Sequence, residues 1–217
     1  MGKIKLVFFD MDGVIFDGLG WKILNFSLGP EGHSIDNDGR NMWSNNDFKN
    51  CMEWIEHNLI FYKKHGLSMK HFYEIVHNIP YTKGAKETFE KLKEKGYKLA
   101  LITGGFKNQA NRAIRDLKID HTFAACELFF DDQGKLTHWN ILPTDNEGKV
   151  DFMRLLIREY KLKPEECAFV GDGENDVFLA KEVGLSIAFN GTKELQEVCT
   201  HSIKQKEKDL RAILEFL

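Results

Sequence analysis

Three short apolar runs, each followed at once by polar residues, constrain the fold of this chain more than any other feature. They are Leu6–Phe9 before Asp10, Lys98–Ile102 before Thr103, and Cys167–Val170 before Gly171 and Asp172. Runs of this length, bounded by turn residues, are typical of buried strands. From Lys83 onward such runs alternate with helical patterns. The predicted fold class is therefore α/β, a doubly wound parallel sheet with helices on both faces.

The other predicted elements follow from periodicity, caps and turn residues. Predicted helices cover Ala85–Lys95, Asn108–Leu117, Val150–Tyr160 and Val177–Val183, and two more close the chain. Predicted strands cover Thr122–Cys126 and Leu185–Phe189, and a hairpin-like turn is expected around Asp131–Gly134.

Residues 17–81 have a different character, because they are rich in Asn, His and aromatic residues and contain no strand-like run. Here we predict helices over Trp21–Ser27, from Asn46-Asp47 onward, and over Met69–His77, with a loop over Gly29–Asn46. The expected organisation is a core domain of residues 1–16 and 82–217, with residues 17–81 inserted as a small helical module.

Composition narrows the class of partner. The chain has 217 residues, 42% hydrophobic and 29% charged, with a net charge of -3. It has no basic cluster of the kind that binds nucleic acid or an anionic membrane surface, and no apolar stretch near the ~20 residues of a membrane span. Its four cysteines lack the spacing of a zinc site or a disulfide framework. We expect a cytoplasmic protein with a small-molecule partner and leave its oligomeric state open.

Asp10 and Asp12 are the first candidate functional residues. Residues i and i+2 of an extended chain point the same way, so both carboxylates would face one pocket. Taken alone, this Asp-x-Asp-Gly pattern is equally typical of an ordinary turn. If the strand before Asp10 is central, however, Thr103 and Asp172 lie at the same edge of the sheet, where doubly wound folds bind ligands.

The charges at that edge predict a cation. Asp10, Asp12, Asp172 and Asp176 would place up to four carboxylates together, and two like charges ~4 Å apart cost about 4 kcal/mol at an effective dielectric of 20. Oxygen ligands without nearby His or Cys favour Mg²⁺. Lys149 is the expected second positive charge. Thr103, with the amides of Gly104 and Gly105 before a helix, is expected to form a phosphate site.

Four ordered motifs resemble those of the haloacid dehalogenase (HAD) superfamily: Asp10-Met-Asp-Gly, Thr103, Lys149 and Gly171-Asp-Gly-Glu-Asn-Asp176. Within it, residues 102–189 are most similar to phosphoserine phosphatases, and the resemblance covers residues 3–17 and 81 nearly to the end. It implies a Rossmann-like core with an inserted helical cap. It also implies a Mg²⁺-dependent phosphomonoester hydrolase that acts on a small phosphorylated metabolite.

The resemblance implies a role for each matching residue. Asp10 would attack phosphorus to give an aspartyl-phosphate, and Asp12 would protonate the leaving alcohol and then deprotonate water. Mg²⁺ would be held by the Asp10 carboxylate, the Asp12 backbone carbonyl and Asp172, with Asp176 orienting these ligands. The residues implied to bind the phosphoryl group are Thr103, Gly104, Lys149 and Asn175.

The helical segment departs from the phosphoserine phosphatase pattern. Those enzymes place a Glu nine residues after the nucleophile to hold the serine ammonium, where this chain has Leu19. They also carry an Arg in the following helices for the serine carboxylate, and no Arg occurs here between Asn41 and Asn111. The sequence leaves the substrate open. It also leaves open a phosphotransferase that passes the phosphoryl group to an acceptor alcohol, and a non-catalytic binding protein with this fold.

Overall fold

A seven-stranded sheet forms the centre of the computed structural model, which describes residues 3–45 and 47–217, without the side chains of Arg40, Trp43 and Ser44. The strands are Leu6–Phe9 (β1), Lys98–Phe106 (β2), His121–Phe130 (β3), Leu136–Ile141 (β4), Cys167–Gly171 (β5), Leu185–Phe189 (β6) and His201–Ile203 (β7). They lie in the order β4-β3-β2-β1-β5-β6-β7, and every adjacent pair is parallel except β3 and β4. Strand β1 is therefore central, and the predicted α/β fold class is confirmed.

Nine α-helices are described. They are Gly20–Ser27 (α1), Pro30–Ser44 (α2), Cys51–Lys64 (α3), Met69–Asn78 (α4), Ala85–Glu94 (α5), Lys107–Leu117 (α6), Glu147–Tyr160 (α7), Val177–Glu182 (α8) and Lys193–Val198 (α9). Short 3₁₀ helices cover Pro164–Glu166, Glu174–Asp176 and Leu210–Glu215.

Strand β1 shows that helices cover both faces of the sheet. Its successive side chains point to opposite faces. Val7 and Phe9 pack in one core with residues of α5 and α6, whereas Leu6 and Phe8 pack in a second core with residues of α7 and α8. All four side chains are fully buried. This double burial is what makes the run apolar throughout, and it places the residue that follows, Asp10, at the middle of the sheet edge.

Helices α1, α3 and α4 form a third core against the β2–β4 end of the sheet. Its buried members include Leu59, Tyr62 and Phe72 from the helices, and Phe106 and Leu128 from the strands. The helical character predicted for residues 17–81 is thus present. The division of the chain into a core domain and a cap domain stays a prediction.

The loop predicted over Gly29–Asn46 is wrong, because α2 occupies most of it. Pro30 stands at the first helical position, where its missing N–H costs nothing. A Cβ on Gly32 would lie 1.8 Å from the backbone oxygen of Asn25, so glycine here lets α2 pack closely on α1. Residues that suggested a turn therefore serve a helix–helix contact.

The next helix begins later than predicted. Helix α3 starts at Cys51, because the side chain of Asn50 accepts a hydrogen bond from the Glu53 amide at 3.1 Å and caps the helix there. Asn46, the expected first residue, lies outside the described residues. Ser68 caps α4 as predicted, accepting from the His71 amide at 3.2 Å.

Two predicted strands, the strand that pairs with the second of them and the C-terminal end also differ from expectation. Strand β2 continues through Gly105 to Phe106, with irregular pairing to β3 after Thr103. Strand β3 extends beyond Cys126 and pairs with β4 across the hairpin-like turn expected around Asp131–Gly134. Strand β4 itself was not predicted, because its alternate residues are polar and exposed. At the C-terminal end, α9 is one of the two expected helices, whereas the second is a 3₁₀ helix. Strand β7 lies between them and was not predicted, because three residues are too few to give a pattern.

No helix in the described ranges is both long enough and apolar enough to cross a membrane. The cytoplasmic location stays a prediction. The four cysteines are free thiols, and Cys51, Cys126 and Cys167 are buried.

Candidate active site

A cavity of about 810 Å³ lies at the sheet edge where β1, β2 and β5 end. Asp10 directly follows β1, Thr103 lies near the end of β2, and Asp172 directly follows β5. All three line the cavity. Because these strands are neighbours in the sheet, three segments that are far apart in the sequence meet at one point.

Lys149 lies in the first turn of α7 and is fully buried beneath this cavity. Its Nζ atom is 2.6 Å from Oδ1 of Asp10 and 2.5 Å from Oδ1 of Asp176. A third carboxylate, that of Asp145, lies 3.8 Å away. One ammonium group thus faces three carboxylates, and it holds the side chain of Asp10 at the floor of the cavity.

The titration of these groups reflects burial and mutual charge. Burial raises the pKa of Asp10, and the Lys149 ammonium opposes this shift. Burial disfavours the Lys149 ammonium, but the carboxylates of Asp10, Asp176 and Asp145 outweigh it and raise the pKa of Lys149. Burial and then the charge of Asp176 raise the pKa of Asp172 to about 7. These carboxylates are therefore not balanced by Lys149 alone.

Three of the carboxylates are close enough to share a cation. One oxygen each from Asp10, Asp172 and Asp176 lies within 4.8 Å of the others. Both oxygens of Asp176 already accept hydrogen bonds, Oδ1 from Lys149 and Oδ2 from the amides of Asp172 and Gly173 at 2.9 and 3.0 Å. Within the described chain, no group donates a hydrogen bond to the Asp172 carboxylate. The arrangement suits a metal bound by Asp10 and Asp172 and oriented by Asp176.

Gly13 is required by this arrangement. Its φ is +79°, and a Cβ at this position would lie 2.0 Å from Oδ2 of Asp172. A side chain at position 13 would therefore displace the Asp172 carboxylate. The glycine of the Asp-x-Asp-Gly pattern therefore makes room for the Asp172 carboxylate as well as turning the chain.

Asp12 lies in the same cavity but contacts different groups. Its Oδ2 accepts from the Gly20 amide at 2.8 Å, and its Oδ1 accepts from Nε2 of Gln109 at 2.9 Å. Burial raises the pKa of Asp12 to about 6, although these two donors oppose the shift. A carboxyl group with this pKa exchanges a proton readily near neutral pH.

Three of the predicted phosphate-binding residues, Thr103, Gly104 and Asn175, also line the cavity. Thr103 is buried, and its Oγ1 accepts from the Gly105 amide at 3.0 Å, so its own hydroxyl proton remains available. The expectation that Gly105 offers a free amide is therefore wrong. Gly104 has no room for a side chain, since a Cβ there would lie 2.5 Å from Oδ2 of Asp145. Asn175 donates to Oδ1 of that same carboxylate at 2.6 Å.

The structure thus brings together every residue that the sequence indicated, and it adds four that the sequence did not. Besides Gly20 and Gln109, these are Asp145 and Trp21, whose Nε1 donates to the Gly104 carbonyl at 3.0 Å. Only Asp145 carried a usable signal, because it is an acidic residue four positions before Lys149, just ahead of a predicted helix.

Comparison with known proteins agrees with the motifs. The sequence model of the haloacid dehalogenase-like hydrolases matches residues 4–184. The phosphoserine phosphatase of Lactococcus lactis subsp. lactis is 34% identical over 155 residues, which are 70% of this chain and 69% of that protein. The phosphoserine phosphatase of Wolinella succinogenes is 30% identical over 219 residues, which are 99% of this chain and 100% of that protein.

Solved structures give the same relationship. A phosphoserine phosphatase described as a phospho-aspartyl intermediate analogue superposes with a TM-score of 0.85 at 26% identity, covering 100% of both chains. These relatives confirm the predicted class of enzyme, a HAD-type phosphatase most similar to phosphoserine phosphatases. Since the family match spans most of its length, the chain belongs to the haloacid dehalogenase-like hydrolase family.

Proposed function

We propose that this protein is a Mg²⁺-dependent phosphomonoester hydrolase that acts on a small phosphorylated metabolite through an aspartyl-phosphate on Asp10. The observation that carries the proposal is the position of Asp10 at the floor of the cavity, only 5% exposed and held by Lys149. One carboxylate oxygen is occupied by the ammonium, so the other is available to a reacting phosphorus. The phosphoserine phosphatases among its relatives support this reading.

Mg²⁺ fits the donors that this site contains. We assign it to the Asp10 carboxylate, the Asp12 backbone carbonyl and Asp172, whose carboxylate receives no hydrogen bond within the described chain. Asp176 orients Asp172 through the backbone amide that it accepts from. When bound, the cation offsets the carboxylate charges and those of the phosphoryl oxygens.

In the first displacement, a carboxylate oxygen of Asp10 forms a bond to phosphorus while the bond from phosphorus to the leaving oxygen breaks. Asp12 gives its proton to that oxygen, so the alcohol departs uncharged. In the second displacement, Asp12 takes a proton from water as the water oxygen bonds to phosphorus and the bond from phosphorus to the Asp10 oxygen breaks. Inorganic phosphate leaves, and both carboxyl groups return to their starting states.

The phosphoryl group is held by neutral donors and one cation of the protein. Thr103 offers its hydroxyl proton, Gly104 its amide, Asn175 its side-chain amide, and Lys149 its ammonium. Asn175 would exchange its hydrogen bond with Asp145 for one with the phosphoryl group. Donors fixed in advance by packing stabilise the charge that develops in the transition state.

Leu19 makes O-phosphoserine a poor substrate in this proposal. Its side chain lines the cavity and is 47% exposed, and it offers no charge to an ammonium group. Trp21 and Trp54 line the cavity on the same helical segment. We infer that the leaving group is less polar than serine at the point where it meets Leu19.

The test is a screen of small phosphoesters with and without Mg²⁺, using the wild-type protein and Asp10→Asn. The wild type should release inorganic phosphate only with Mg²⁺, and Asp10→Asn should release almost none, because an amide cannot form the aspartyl-phosphate. O-phosphoserine belongs in the screen beside esters without an ammonium group. Rapid hydrolysis of O-phosphoserine would contradict the role given to Leu19.

Two results would contradict the proposal of a hydrolase that uses Asp10 as its nucleophile. Equal phosphate release by Asp10→Asn would show that Asp10 is not the nucleophile, and no release by the wild type would favour a binding protein. Adding acceptor alcohols separates hydrolysis from transfer, since a phosphotransferase would phosphorylate the acceptor faster than it releases phosphate.

A further inference from the structure

Two N–H donors from distant parts of the chain hold the carboxylate of Asp12. The first residue of α1, Gly20, donates through its amide to Oδ2 at 2.8 Å, and Gln109 of α6 donates through Nε2 to Oδ1 at 2.9 Å. Among the residues that the structure describes, Asp12 forms no ion pair. The direction of its carboxylate is therefore set by neutral groups, one for each oxygen.

Packing alone does not explain an amide at position 109. The Gln109 side chain is fully buried, and its Oε1 has no hydrogen-bond partner in the described part of the chain. Burying an amide oxygen without a partner costs stability, whereas an apolar side chain of the same size carries no such cost. The side chain is also tightly confined, because a Cβ on Gly20 would lie 2.7 Å from this oxygen.

An amide suits a carboxyl group that changes its protonation during the reaction. In the proposed mechanism Asp12 is protonated before the first displacement and ionised after it. A glutamine N–H donates to a carboxyl oxygen in either protonation state, so Gln109 can hold Oδ1 of Asp12 throughout while the proton is carried on the other oxygen.

We propose that Gln109 is a positioning residue that keeps the Asp12 carboxyl directed at the oxygen of the leaving group. The inference rests on the proposed function. Gln109 acts through Asp12 and contacts neither Asp10 nor Lys149 among the described hydrogen bonds. Its loss should therefore matter most where protonation of the leaving group matters most.

The test compares two phosphoesters under Mg²⁺. Nitrophenolate leaves from p-nitrophenyl phosphate without help, whereas the alkoxide of glycerol 2-phosphate needs a proton from Asp12. Gln109→Met keeps the volume and removes the donor, and Gln109→Glu keeps the shape and reverses the polarity toward Asp12. Each variant should lose kcat/KM on glycerol 2-phosphate at least ~10-fold more than on p-nitrophenyl phosphate. Asp12→Asn removes the acid itself. It should therefore show the same difference between the two esters more strongly, and its value is the upper limit for the Gln109 variants.

Asn108→Ala is the matched control. Asn108 is the neighbouring amide on α6, but its Nδ2 donates to the Tyr73 hydroxyl at 2.8 Å instead of to Asp12. It should change kcat/KM for the two esters by the same factor. If Gln109→Met is unstable, thermal melting identifies this and Gln109→Glu provides the comparison.

The outcomes separate the inference from the function on which it rests. Equal losses on both esters in folded Gln109 variants, or no loss on either, would overturn the positioning role alone. Phosphate release from neither ester by the wild type, or no leaving-group preference in Asp12→Asn, would overturn the proposed mechanism and this inference with it.

Discussion

Polar groups are buried in two regions of this molecule, and the two regions treat them differently. The catalytic edge, defined here as Asp10, Asp172, Asp176 and Lys149, contains three carboxylates and one ammonium group. In the helical segment, defined as residues 17–81, amides and a hydroxyl are buried together in the network of Asn25, Asn58 and Tyr62. The first set carries more negative than positive charge, whereas the members of the second set form hydrogen bonds with one another.

The helical network satisfies its members through short links between α1 and α3. The Tyr62 hydroxyl donates to Oδ1 of Asn25 at 2.6 Å, and Nδ2 of Asn25 donates to Oδ1 of Asn58 at 3.2 Å. Nδ2 of Asn58 donates in turn to the backbone oxygen of Trp54 at 2.9 Å. Asn25 also lies 3.3 Å from the Asp36 carboxylate of α2.

The two regions differ in whether their buried polar groups serve the reaction or the packing of the fold. A charged cluster that lacks its counter-ion destabilises the fold by itself and is completed by a ligand. A satisfied network of amides fixes the packing of helices and requires nothing further. The stability of the catalytic edge should therefore depend on pH and Mg²⁺, and that of the helical segment should not.

The largest expected effect comes from removing the only ammonium group of the catalytic edge. Lys149→Ala should lower kcat by about 10²–10³-fold, because a preorganised donor to the transition state is lost. The measurement is phosphate release under saturating Mg²⁺, with thermal melting to show that the variant is folded. Lys181→Ala, which removes an exposed lysine of α8, is the control and should leave kcat unchanged. Undiminished turnover in Lys149→Ala would remove Lys149 from the mechanism.

A smaller effect, on stability, is expected at Asp172. Its pKa is raised to about 7 in the folded protein, above the ordinary value of 3.8, so its contribution to stability is full below the unfolded pKa and is lost as pH rises through about 7. Without metal, Asp172→Asn should therefore melt above the wild type near about pH 8, by roughly 2–8 °C, and the gap should close as the pH falls.

Mg²⁺ should reverse that order. The wild type should gain melting temperature with Mg²⁺, and Asp172→Asn should gain little, because a ligand that binds only the native state stabilises it by mass action. Asp151→Asn, at an exposed carboxylate of α7, is the control and should follow the wild type. If Asp172→Asn melted below the wild type without metal near pH 8, the carboxylates would not be in conflict.

The position of each residue in the fold explains whether the sequence could predict it. Asp10, Thr103 and Asp172 were identifiable because each directly follows or ends an apolar run, and parallel strands bring their ends together. Gln109 was not, because an amide on the buried face of a helix gives no local signal, and its partner Asp12 lies 97 residues away. Helix α2 was missed because Pro30 and Gly32 are also typical of turns. Functional residues at strand ends can be predicted from the sequence, whereas contacts between separate helices cannot.

The smallest predicted effect tests the helical network. Tyr62→Phe removes the donor to Oδ1 of Asn25 and leaves that buried oxygen without a partner, which should lower the free energy of unfolding by about 1–3 kcal/mol. Urea unfolding should give the same loss near about pH 6 and pH 8, with or without Mg²⁺, since neither Tyr62 nor Asn25 contacts the catalytic edge. Tyr97→Phe, whose hydroxyl makes no hydrogen bond within the described residues, is the control and should stay within about 0.5 kcal/mol of the wild type. A loss in Tyr62→Phe that disappears when Mg²⁺ is added would mean that the helical segment is coupled to the cation site, and the contrast between the two regions would fail.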